Sequence, residues 1–244
     1  MNLTGIVIVK NGEDLIVDCL KSLSFCDEIL VIDNDSKDKT VKLSEELGAR
    51  VVESKTTDFS EMRNRGLREA KGKWIIYVDV DERINEELKN EIIKAIKDDN
   101  YSFYIVERKN YYLGNHLWPK TEKMQRLFKK ESLKGWFGRI HESPRTEGKS
   151  AVLDGYLLHF THRNLSEMLA KTIEWSKIEA ELRYESHHPK MSWWRFPRVM
   201  ITTFFNYYFI QRGYKLGIAG LIESMYQSFS IFITYARLWE MQKK

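Results

Sequence analysis

The sequence lacks several features that would assign it to a common class of protein. It has only two cysteines, Cys19 and Cys26, so no disulfide framework is implied and a reducing compartment is expected. No Gly-x-Gly-x-x-Gly follows the first predicted strand, which disfavours a dinucleotide oxidoreductase. There is also no run of basic residues and no recognition motif for nucleic acid, so a nucleic acid partner is not expected.

Clear signals for secretion and for a membrane span are also missing. The first apolar stretch, 5–9, runs directly into the charged segment 10–14, so no signal peptide is predicted. A transmembrane helix needs about 20 apolar residues. Charged residues divide the apolar C-terminal region into shorter pieces: Arg198, Arg212, Lys215, Glu223 and Arg237. We therefore expect a cytoplasmic protein, peripheral on the inner face of the cell membrane, whose last helices lie in the interface. Packing on the rest of the chain, or a dimer interface, is the alternative.

The first hundred residues alternate strand and helix patterns. Apolar, β-branched runs predict strands at 3–9, 28–32, 51–52 and 74–78, and amphipathic spacing predicts helices at 13–22, 40–47, 59–70 and 86–97. Continuous apolar strands between amphipathic helices indicate a parallel sheet covered on both faces. Ligands of such sheets bind beyond the carboxyl ends of the strands. Polar clusters occupy those ends here, at 10–13, 33–38 and 79–82.

The pattern changes after residue 100. Shorter strand-like segments are predicted at 102–108, 125–128 and 156–160, followed by helices at 166–184, 197–212 and 216–240. We expect an α/β domain over 1–165, with a change of pattern at about residue 99. The remainder, 166–244, reads as a helical extension. Its aromatic residues, interspersed with Arg and Lys, are typical of a membrane surface.

Two carboxylates, Asp79 and Asp81, follow the apolar run 74–78. Charged carboxylates at the end of a buried strand need a cation or strong hydrogen-bond donors. Oxygen ligands at this spacing suit Mg²⁺ or Mn²⁺, which can in turn hold a diphosphate. The pair therefore predicts an enzyme that uses a nucleotide-activated substrate. The simpler alternative is a strand that ends in a solvated acidic turn.

Four segments carry a family resemblance. These are Ile8-Val9-Lys10-Asn11-Gly12-Glu13, the run from Ile29 to Thr40, Met62-Arg63-Asn64-Arg65-Gly66-Leu67, and the Asp-x-Asp segment that ends in Asp79-Val80-Asp81-Glu82. In this order, over 3–90, they resemble the family 2 glycosyltransferases. The segment 138–142 and the aromatic tail are similar to a bacterial subgroup, the lipopolysaccharide-core β-1,4-glucosyltransferases, which add glucose to inner-core heptose.

The resemblance implies a GT-A fold, which is a Rossmann-like α/β fold with a mostly parallel sheet flanked by helices. It also implies an inverting mechanism, a UDP-sugar donor, a divalent metal (Mg²⁺ or Mn²⁺) and a lipid-linked saccharide acceptor of the lipopolysaccharide type. Within the GT-A catalytic domain, 1–165, the resemblance implies a nucleotide-binding half at about 1–99 and an acceptor half at about 100–165. A C-terminal helical, aromatic-rich extension would follow the catalytic domain, and a homo-oligomer is compatible with it.

The family pattern assigns nucleotide contacts near the first two strands. Asp33 would accept from the uracil ring edge, while Val9 (through its backbone), Asn11 and Glu13 would line the same pocket. Asp35 could join them or could cap the helix that starts near Thr40, which is a common role for an Asp after a strand. Capping is also the alternative for Asp33.

Arg63 is the predicted contact to the diphosphate or the base, because a guanidinium fork matches phosphate oxygens. The adjacent Asn64 is assigned to the same site. The alternative for Arg63 is a solvated arginine on a helix face.

The resemblance also implies the metal site. Asp81 would be a direct ligand, and Asp79 would hold the ribose hydroxyls, the metal or a metal-bound water, with Glu82 supporting them. A histidine after the last core strand would complete the site. His159 and His162 are both candidates.

An inverting transfer needs a carboxylate that deprotonates the acceptor hydroxyl. Glu142 is the candidate base, with His141 beside it to orient it or to contact the phosphates. A hydrogen-bonded loop is the alternative for this pair. At the level of the whole chain, the alternatives are a sugar-nucleotide nucleotidyltransferase and a non-catalytic, membrane-associated module that binds a nucleotide sugar. The nucleotidyltransferase would normally show a Gly-rich phosphate loop near the N-terminus, and 10–13 is not one.

Overall fold

The computed structural model describes residues 2–98, 100–139 and 142–243. The chain divides into two compact units. The first, the sheet unit, comprises Met1–Lys109 and Glu122–His159. The second, the helical unit, comprises Asn110–Thr121 and Phe160–Lys244. The grouping of 110–121 with the C-terminal helices joins segments that lie far apart in the sequence.

The strands are β1 (Leu3–Val9), β2 (Glu28–Asp33), β3 (Arg50–Glu53), β4 (Trp74–Asp79), β5 (Glu82–Ile84), β6 (Phe103–Tyr112), β7 (His116–Leu117), β8 (Glu122–Lys129), β9 (Leu133–Phe137), β10 (Ser143–Thr146) and β11 (Ser150–Phe160). The helices are α1 (Ile16–Ser22), α2 (Thr40–Glu46), α3 (Phe59–Glu69), α4 (Glu86–Ala95), α5 (Leu165–Glu185), α6 (Arg195–Phe205) and α7 (Gly217–Gln242). The predicted elements of the first hundred residues are therefore present, within a few residues at each end.

The main sheet is mixed, with the strand order β3-β2-β1-β4-β8-β6-β11-β5 and β7 paired to β6. β1, β2, β3 and β4 run parallel, and β8 joins β4 in the antiparallel direction. β9 and β10 form a separate two-stranded sheet. The parallel half thus contains the strands whose apolar runs are continuous, as buried parallel strands require.

Both faces of the parallel half are buried. Along β1, Leu3, Val7 and Val9 belong to the apolar cluster that also contains side chains of α1 and α4. Ile6 and Ile8 belong to a second cluster, which includes Met62 of α3 and Trp136 of β9. The alternation of neighbouring residues between two clusters places the sheet between two apolar layers. Its polar carboxyl-end loops are left as the edge that can bind a ligand.

The helical unit is built around α7, which packs against α5 and α6. A π-helical segment, Asn206–Ile210, extends α6, and a 3₁₀ turn, Gly213–Leu216, leads into α7. Of the charged residues expected to interrupt this region, only Glu223 and Arg237 lie within α7. Within the described residues, Gly213–Gln242 is consequently long and apolar enough, by length and composition, to cross a membrane.

Candidate functional site

The site lies at the carboxyl ends of β1, β2 and β4. Backbone register pairs Val9 with Asp33 across β1 and β2, and Ile8 with Asp79 across β1 and β4. Since parallel strands end at the same edge, the sheet brings together polar residues that are up to 70 positions apart in the sequence. This confirms that the polar clusters of the first hundred residues share one edge.

Asp33 is almost completely buried, and one of its two carboxylate oxygens is unpaired. Its Oδ2 accepts from the backbone N–H of Ser36 at 3.0 Å, whereas its Oδ1 is buried without a hydrogen-bond partner. The Val9 carbonyl beside it accepts from Asn34 N–H at 2.8 Å. Buried polar atoms are nearly always paired, so an unpaired carboxylate oxygen at a strand end indicates a missing donor. Neither oxygen of Asp33 caps α2.

Asn11 and Glu13 join the loop after β1 to the loop after β2. The Asn11 Oδ1 accepts from Lys37 N–H at 2.8 Å, and its own N–H donates to Ser36 Oγ at 2.8 Å. The Glu13 Oε2 accepts from Lys39 N–H at 3.1 Å. These bonds hold the two loops together around Asp33. Direct contacts of Asn11 and Glu13 with a nucleotide stay predictions.

Asp35 lies at the surface in the left-handed region, at φ 58°, and forms ion pairs with Lys37 at 2.8 Å and Lys55 at 3.4 Å. Hydrogen bonds from these two lysines lower the pKa of Asp35. The predicted capping role of Asp35 is wrong. Asp38 takes it, because its Oδ1 accepts from Thr40 N–H at 3.0 Å. A nucleotide contact by Asp35 stays a prediction.

A buried network of arginines and carboxylates lies at the end of β4. Arg63 Nη2 donates to Asp79 Oδ1 at 2.8 Å, and Arg63 Nε donates to Glu142 Oε1 at 2.5 Å. From the opposite side, Arg126 Nη2 donates to Asp79 Oδ2 and to Glu82 Oε1, each at 2.8 Å. Asp79 is therefore bonded by a guanidinium on each of its two oxygens.

The charges in this network compensate each other. Burial alone would raise the pKa of Asp79, but the guanidinium groups of Arg126 and Arg63 hold it well below its usual range. Burial would lower the pKa of Arg126, and Asp79 and Glu82 raise it above its ordinary value. Asp79 is consequently an anion, and each of its oxygens already accepts from an arginine. This argues against Asp79 as a direct metal ligand.

Arg63 is held rigidly on α3. The cap Asp58 accepts from Ser60 N–H at 2.8 Å, and the guanidinium carbon of Arg63 lies 4.8 Å from the Trp136 ring centroid. The residue is 4% exposed, so the alternative of a solvated helix-face arginine is wrong. Its Nη1 is buried without a hydrogen-bond partner. One arm of the guanidinium thus remains available to an acceptor such as a phosphate oxygen.

Asn64 is used within the protein. Its Nδ2 donates to the Trp136 carbonyl at 2.9 Å, and its Oδ1 accepts from Trp136 N–H at 2.8 Å. Both ends of the amide therefore fix β9 against α3, next to Arg63. The geometry gives Asn64 a positioning role, and its assigned contact with the nucleotide stays a prediction.

Asp81 and His159 are brought together by the pairing of β5 with β11. Asp81 Oδ2 lies 3.3 Å from His159 Nε2, and both side chains are mostly buried. His162 lies in the helical unit, where its Nδ1 is 2.9 Å from Glu223 Oε1. Of the two candidate histidines, His159 is the one that contacts Asp81 in the sheet unit. A metal role for His162 stays a prediction, and His141 lies outside the described residues.

Mg²⁺ and Mn²⁺ need several ligands, and the side chains at this site supply only some of them. Within 2–98, 100–139 and 142–243, no group of three or more His, Cys, Asp and Glu side chains could hold a metal ion. Asp81 with His159 offers a carboxylate and an imidazole. This pair fits a metal that takes its remaining ligands from water and substrate phosphates, as Mg²⁺ commonly does.

Sequence reasoning missed Arg126 and Arg108. Arg126 is 5% exposed on β8, and Arg108 Nη1 on β6 donates to the fully buried Glu82 at 3.0 Å. A usable signal was present, since Arg126 directly precedes Leu127-Phe128 within a predicted strand, where a charge needs a buried partner. Its partners are 44 and 47 residues away, so the sequence could not name them.

Comparison with known proteins places these features in a family. The model of glycosyl transferase family 2 matches residues 4–158. The chain is 25% identical over 254 residues to LpsC of Rhizobium meliloti, a lipopolysaccharide core biosynthesis glycosyltransferase, covering 98% of this chain and 92% of LpsC. It is also 25% identical to an uncharacterized glycosyltransferase of Rickettsia typhi, covering 98% of this chain and 87% of the relative.

Among solved structures, the chain is similar to TarS of S. aureus, residues 1–349. The TM-score is 0.53 at 15% sequence identity, and the match covers all of this chain and 91% of that TarS fragment. This supports the predicted GT-A fold, a mixed α/β sheet with flanking helices and a C-terminal helix. With a family model that covers well over half of its length, the chain belongs to glycosyl transferase family 2.

Proposed function

We propose that the protein is an inverting hexosyltransferase that moves glucose from UDP-glucose to a lipid-linked saccharide of the lipopolysaccharide inner-core type. The reaction would use Mg²⁺ or Mn²⁺. TarS, which has the same fold, has been crystallised with UDP-GlcNAc, which supports a UDP-sugar as donor. The similarity to LpsC over nearly the whole chain supports a lipopolysaccharide-core acceptor.

The observation that carries the proposal is a pair of unpartnered buried atoms, Asp33 Oδ1 and Arg63 Nη1. One is an acceptor and the other a charged donor, and both belong to elements at the ligand-binding edge of the sheet. A uracil N–H would satisfy Asp33, and a diphosphate oxygen would satisfy Arg63. A uridine diphosphate supplies both groups in one molecule.

Asp81 and His159 are the residues that would hold the metal, with Asp79 behind them. Bound there, the metal would neutralise the charge that develops on the departing diphosphate, a contribution of several kcal/mol. Arg63 would share that task, because its free arm is already charged and fixed. Asp79 orients Arg63 through the bond from Nη2 to Oδ1.

Glu142 is the proposed base. Its carboxylate would take the proton of the acceptor hydroxyl while that oxygen bonds to the anomeric carbon, and the bond to the diphosphate breaks with its electrons on the leaving group. The bond from Arg63 Nε to Glu142 Oε1 fixes the carboxylate and leaves Oε2 for the proton. Phe137, about half exposed at the end of β9, offers an apolar face on which the acceptor sugar can stack.

A lipid-linked acceptor would place the reaction at a membrane surface. We propose that the protein acts as a peripheral protein on the cytoplasmic face of the cell membrane. The aromatic and basic composition of the helical unit supports this location.

Donor binding and turnover test the proposal. Purified protein would be titrated with UDP-, GDP- and dTDP-hexoses in the presence of Mg²⁺, Mn²⁺ or EDTA, for wild type and for Asp81→Asn. We expect metal-dependent binding and slow hydrolysis of UDP-glucose, with turnover at least about 100-fold lower in Asp81→Asn. Glu45→Gln, an exposed position on α2, is the matched control and should behave as wild type.

Two outcomes would contradict the proposal. Absence of nucleotide binding with either metal would contradict the transferase, and it would also contradict the non-catalytic module that binds a nucleotide sugar. Release of pyrophosphate from UTP and a sugar phosphate would indicate a nucleotidyltransferase.

A further inference from the structure

α7 buries polar residues and exposes apolar ones. Its buried positions include small or polar side chains: Gly220, Glu223, Ser224, Ser228 and Thr234. Its exposed positions include large apolar side chains: Ile218, Leu221, Ile222, Met225 and Phe229. Helices of water-soluble domains show the opposite pattern. Small and polar residues at helix contacts with apolar residues outside are typical of helices that meet lipid.

The buried polar side chains of α7 are hydrogen-bonded. The buried carboxylate of Glu223 contacts His162 Nδ1 at 2.9 Å and accepts from Gln227 Nε2 at 2.7 Å. The Tyr226 hydroxyl lies 2.6 Å from Thr172 Oγ1 and donates to the Met168 carbonyl at 2.5 Å. α7 is therefore fixed in this orientation by specific bonds. The large apolar side chains of α7 lie outside because its polar side chains are bonded in the interior of the helical unit.

α6 and its π-helical extension continue the apolar surface. None of the α6 side chains is buried. Ile201, Phe205, Phe209 and Ile210 are each about half exposed or more, with Ile201 at 67%. Together with the exposed residues of α7, these side chains form a patch that we call the apolar face. Large exposed apolar side chains on two helices that pack together mark a contact with a partner or a membrane.

The segment that contains α6 and the start of α7 has charges of one sign. Between Ser186 and Ile222 the sequence has no Asp or Glu, while it has Lys190, Arg195, Arg198, Arg212 and Lys215. The guanidinium carbons of Arg195 and Arg198 lie 5.3 and 5.7 Å from the Trp194 ring centroid, and Trp193 is 82% exposed. Tryptophan beside arginine is the composition that settles at the level of lipid headgroups. A segment whose charges are all basic complements an anionic surface.

α7 is not surrounded by lipid on all sides, because α5 runs along it in the same direction. Tyr226 contacts Thr172, and Arg183 Nη1 donates to Tyr235 at 3.2 Å. These two contacts hold α5 and α7 together at two levels along their length. Along that length α5 carries several charged residues: Glu174, Lys177, Glu179, Glu181 and Arg183. A crossing α7 would carry these charges into the hydrocarbon, which is costly. The apolar part of α6 and its extension, 199–210, would also span only about 18 Å of the roughly 30 Å required.

We propose that the apolar face binds one leaflet of an anionic phospholipid membrane, with α6 and α7 in the plane of the interface. Arg195, Arg198, Arg212 and Lys215 would then meet lipid phosphates. The inference rests on the membrane location proposed above, and it adds the face, the orientation and the charge of the lipid. It does not involve the donor site, so UDP-sugar binding serves as an independent readout.

Vesicle flotation of the full-length protein tests the binding face. Phosphatidylcholine vesicles would be compared with vesicles that also contain phosphatidylglycerol. We expect binding to the anionic vesicles, about tenfold weaker for Phe205→Ser and for Ile218→Ser and about fivefold weaker for Arg198→Gln. The matched controls lie on α5: Ile173→Ser, 61% exposed, and the exposed Lys177→Gln. Both should bind as wild type.

Impermeant thiol labelling tests the orientation. In inverted membrane vesicles from expressing bacteria, Lys215→Cys and Lys243→Cys would be compared in a Cys26→Ser background. An in-plane helix exposes both thiols to the reagent, whereas a crossing helix exposes only one.

Three results would overturn the proposal. These are no vesicle binding by a wild-type protein that still binds UDP-sugar, equal losses in the α5 controls, or labelling of one thiol alone. A fall from dimer to monomer in Ile218→Ser, without vesicle binding by the wild type, would instead make the apolar face a contact between copies of this chain.

Discussion

The two compact units of this chain differ in the side chains that they bury and expose. In the sheet unit, Ile6, Leu30 and Ile75 are fully buried, and charges are collected at one edge of the sheet. In the helical unit, Glu223 and Ser224 are fully buried while Ile218 is 77% exposed. The sheet unit follows the rule for a protein in water, and the helical unit follows the rule for a protein in contact with lipid.

Both units nevertheless bury charge, and they compensate it differently. The sheet unit balances Asp79 and Glu82 against Arg63, Arg126 and Arg108 in a network. In the helical unit, Glu223 is hydrogen-bonded to one histidine and one amide. A network of arginines keeps its charge at every physiological pH, whereas a histidine can lose it. Permanent positive charge suits the proposed binding of a diphosphate by the sheet unit.

Removal of Arg126 should give the largest effect. In Arg126→Met, Asp79 and Glu82 would lose a shared buried donor, and one uncompensated charge would remain in the sheet unit. We expect the free energy of unfolding to fall by about 3 to 5 kcal/mol, measured by urea denaturation followed by circular dichroism. Lys123→Met, on the same strand with a side chain that is 61% exposed, is the control. A loss of less than about 1 kcal/mol in Arg126→Met would mean that the network contributes little to stability.

Removal of the buried carboxylate in the helical unit should have a smaller effect. In Glu223→Leu, His162 and Gln227 lose a shared buried partner, and the leucine introduces no unpaired polar group at that position. We expect a loss of about 2 to 3 kcal/mol in the free energy of unfolding, measured in a mild detergent that covers the apolar face. Glu240→Leu, an exposed position on α7, should change stability by less than about 0.5 kcal/mol. If both variants behave alike, the polar interior of the helical unit is not what fixes α7.

Truncation of an apolar residue on the apolar face should have the smallest effect on stability. Ile218→Ala removes a side chain that is mostly exposed, so we expect a change within about 0.5 kcal/mol in urea denaturation without lipid. Ile6→Ala is the matched truncation in the sheet unit, where the side chain is fully buried, and it should cost about 2 to 5 kcal/mol. Equal costs at the two positions would remove the contrast between the units.

Much of the candidate site could be predicted because its residues follow strands. Asp33, Asp79 and Asp81 each come directly after an apolar run, and parallel strands bring their ends to one edge. The burial of Arg63 and its bonds to Asp79 and Glu142 could not be predicted, since helical spacing does not tell which face meets a partner 79 residues away. For the same reason, spacing could not choose between His159 and His162.

The sequence by itself determined the order of the elements, the parallel half of the sheet and the residues at its carboxyl edge. These follow from local periodicity, and local periodicity is set by the side chains of a short segment. Only the tertiary structure decided that Arg126 neutralises Asp79, that Asp81 contacts His159 and that α7 turns its polar side inward. Those outcomes depend on which distant groups are available to pair with a buried charge, and pairing over distance is a property of the fold rather than of any segment.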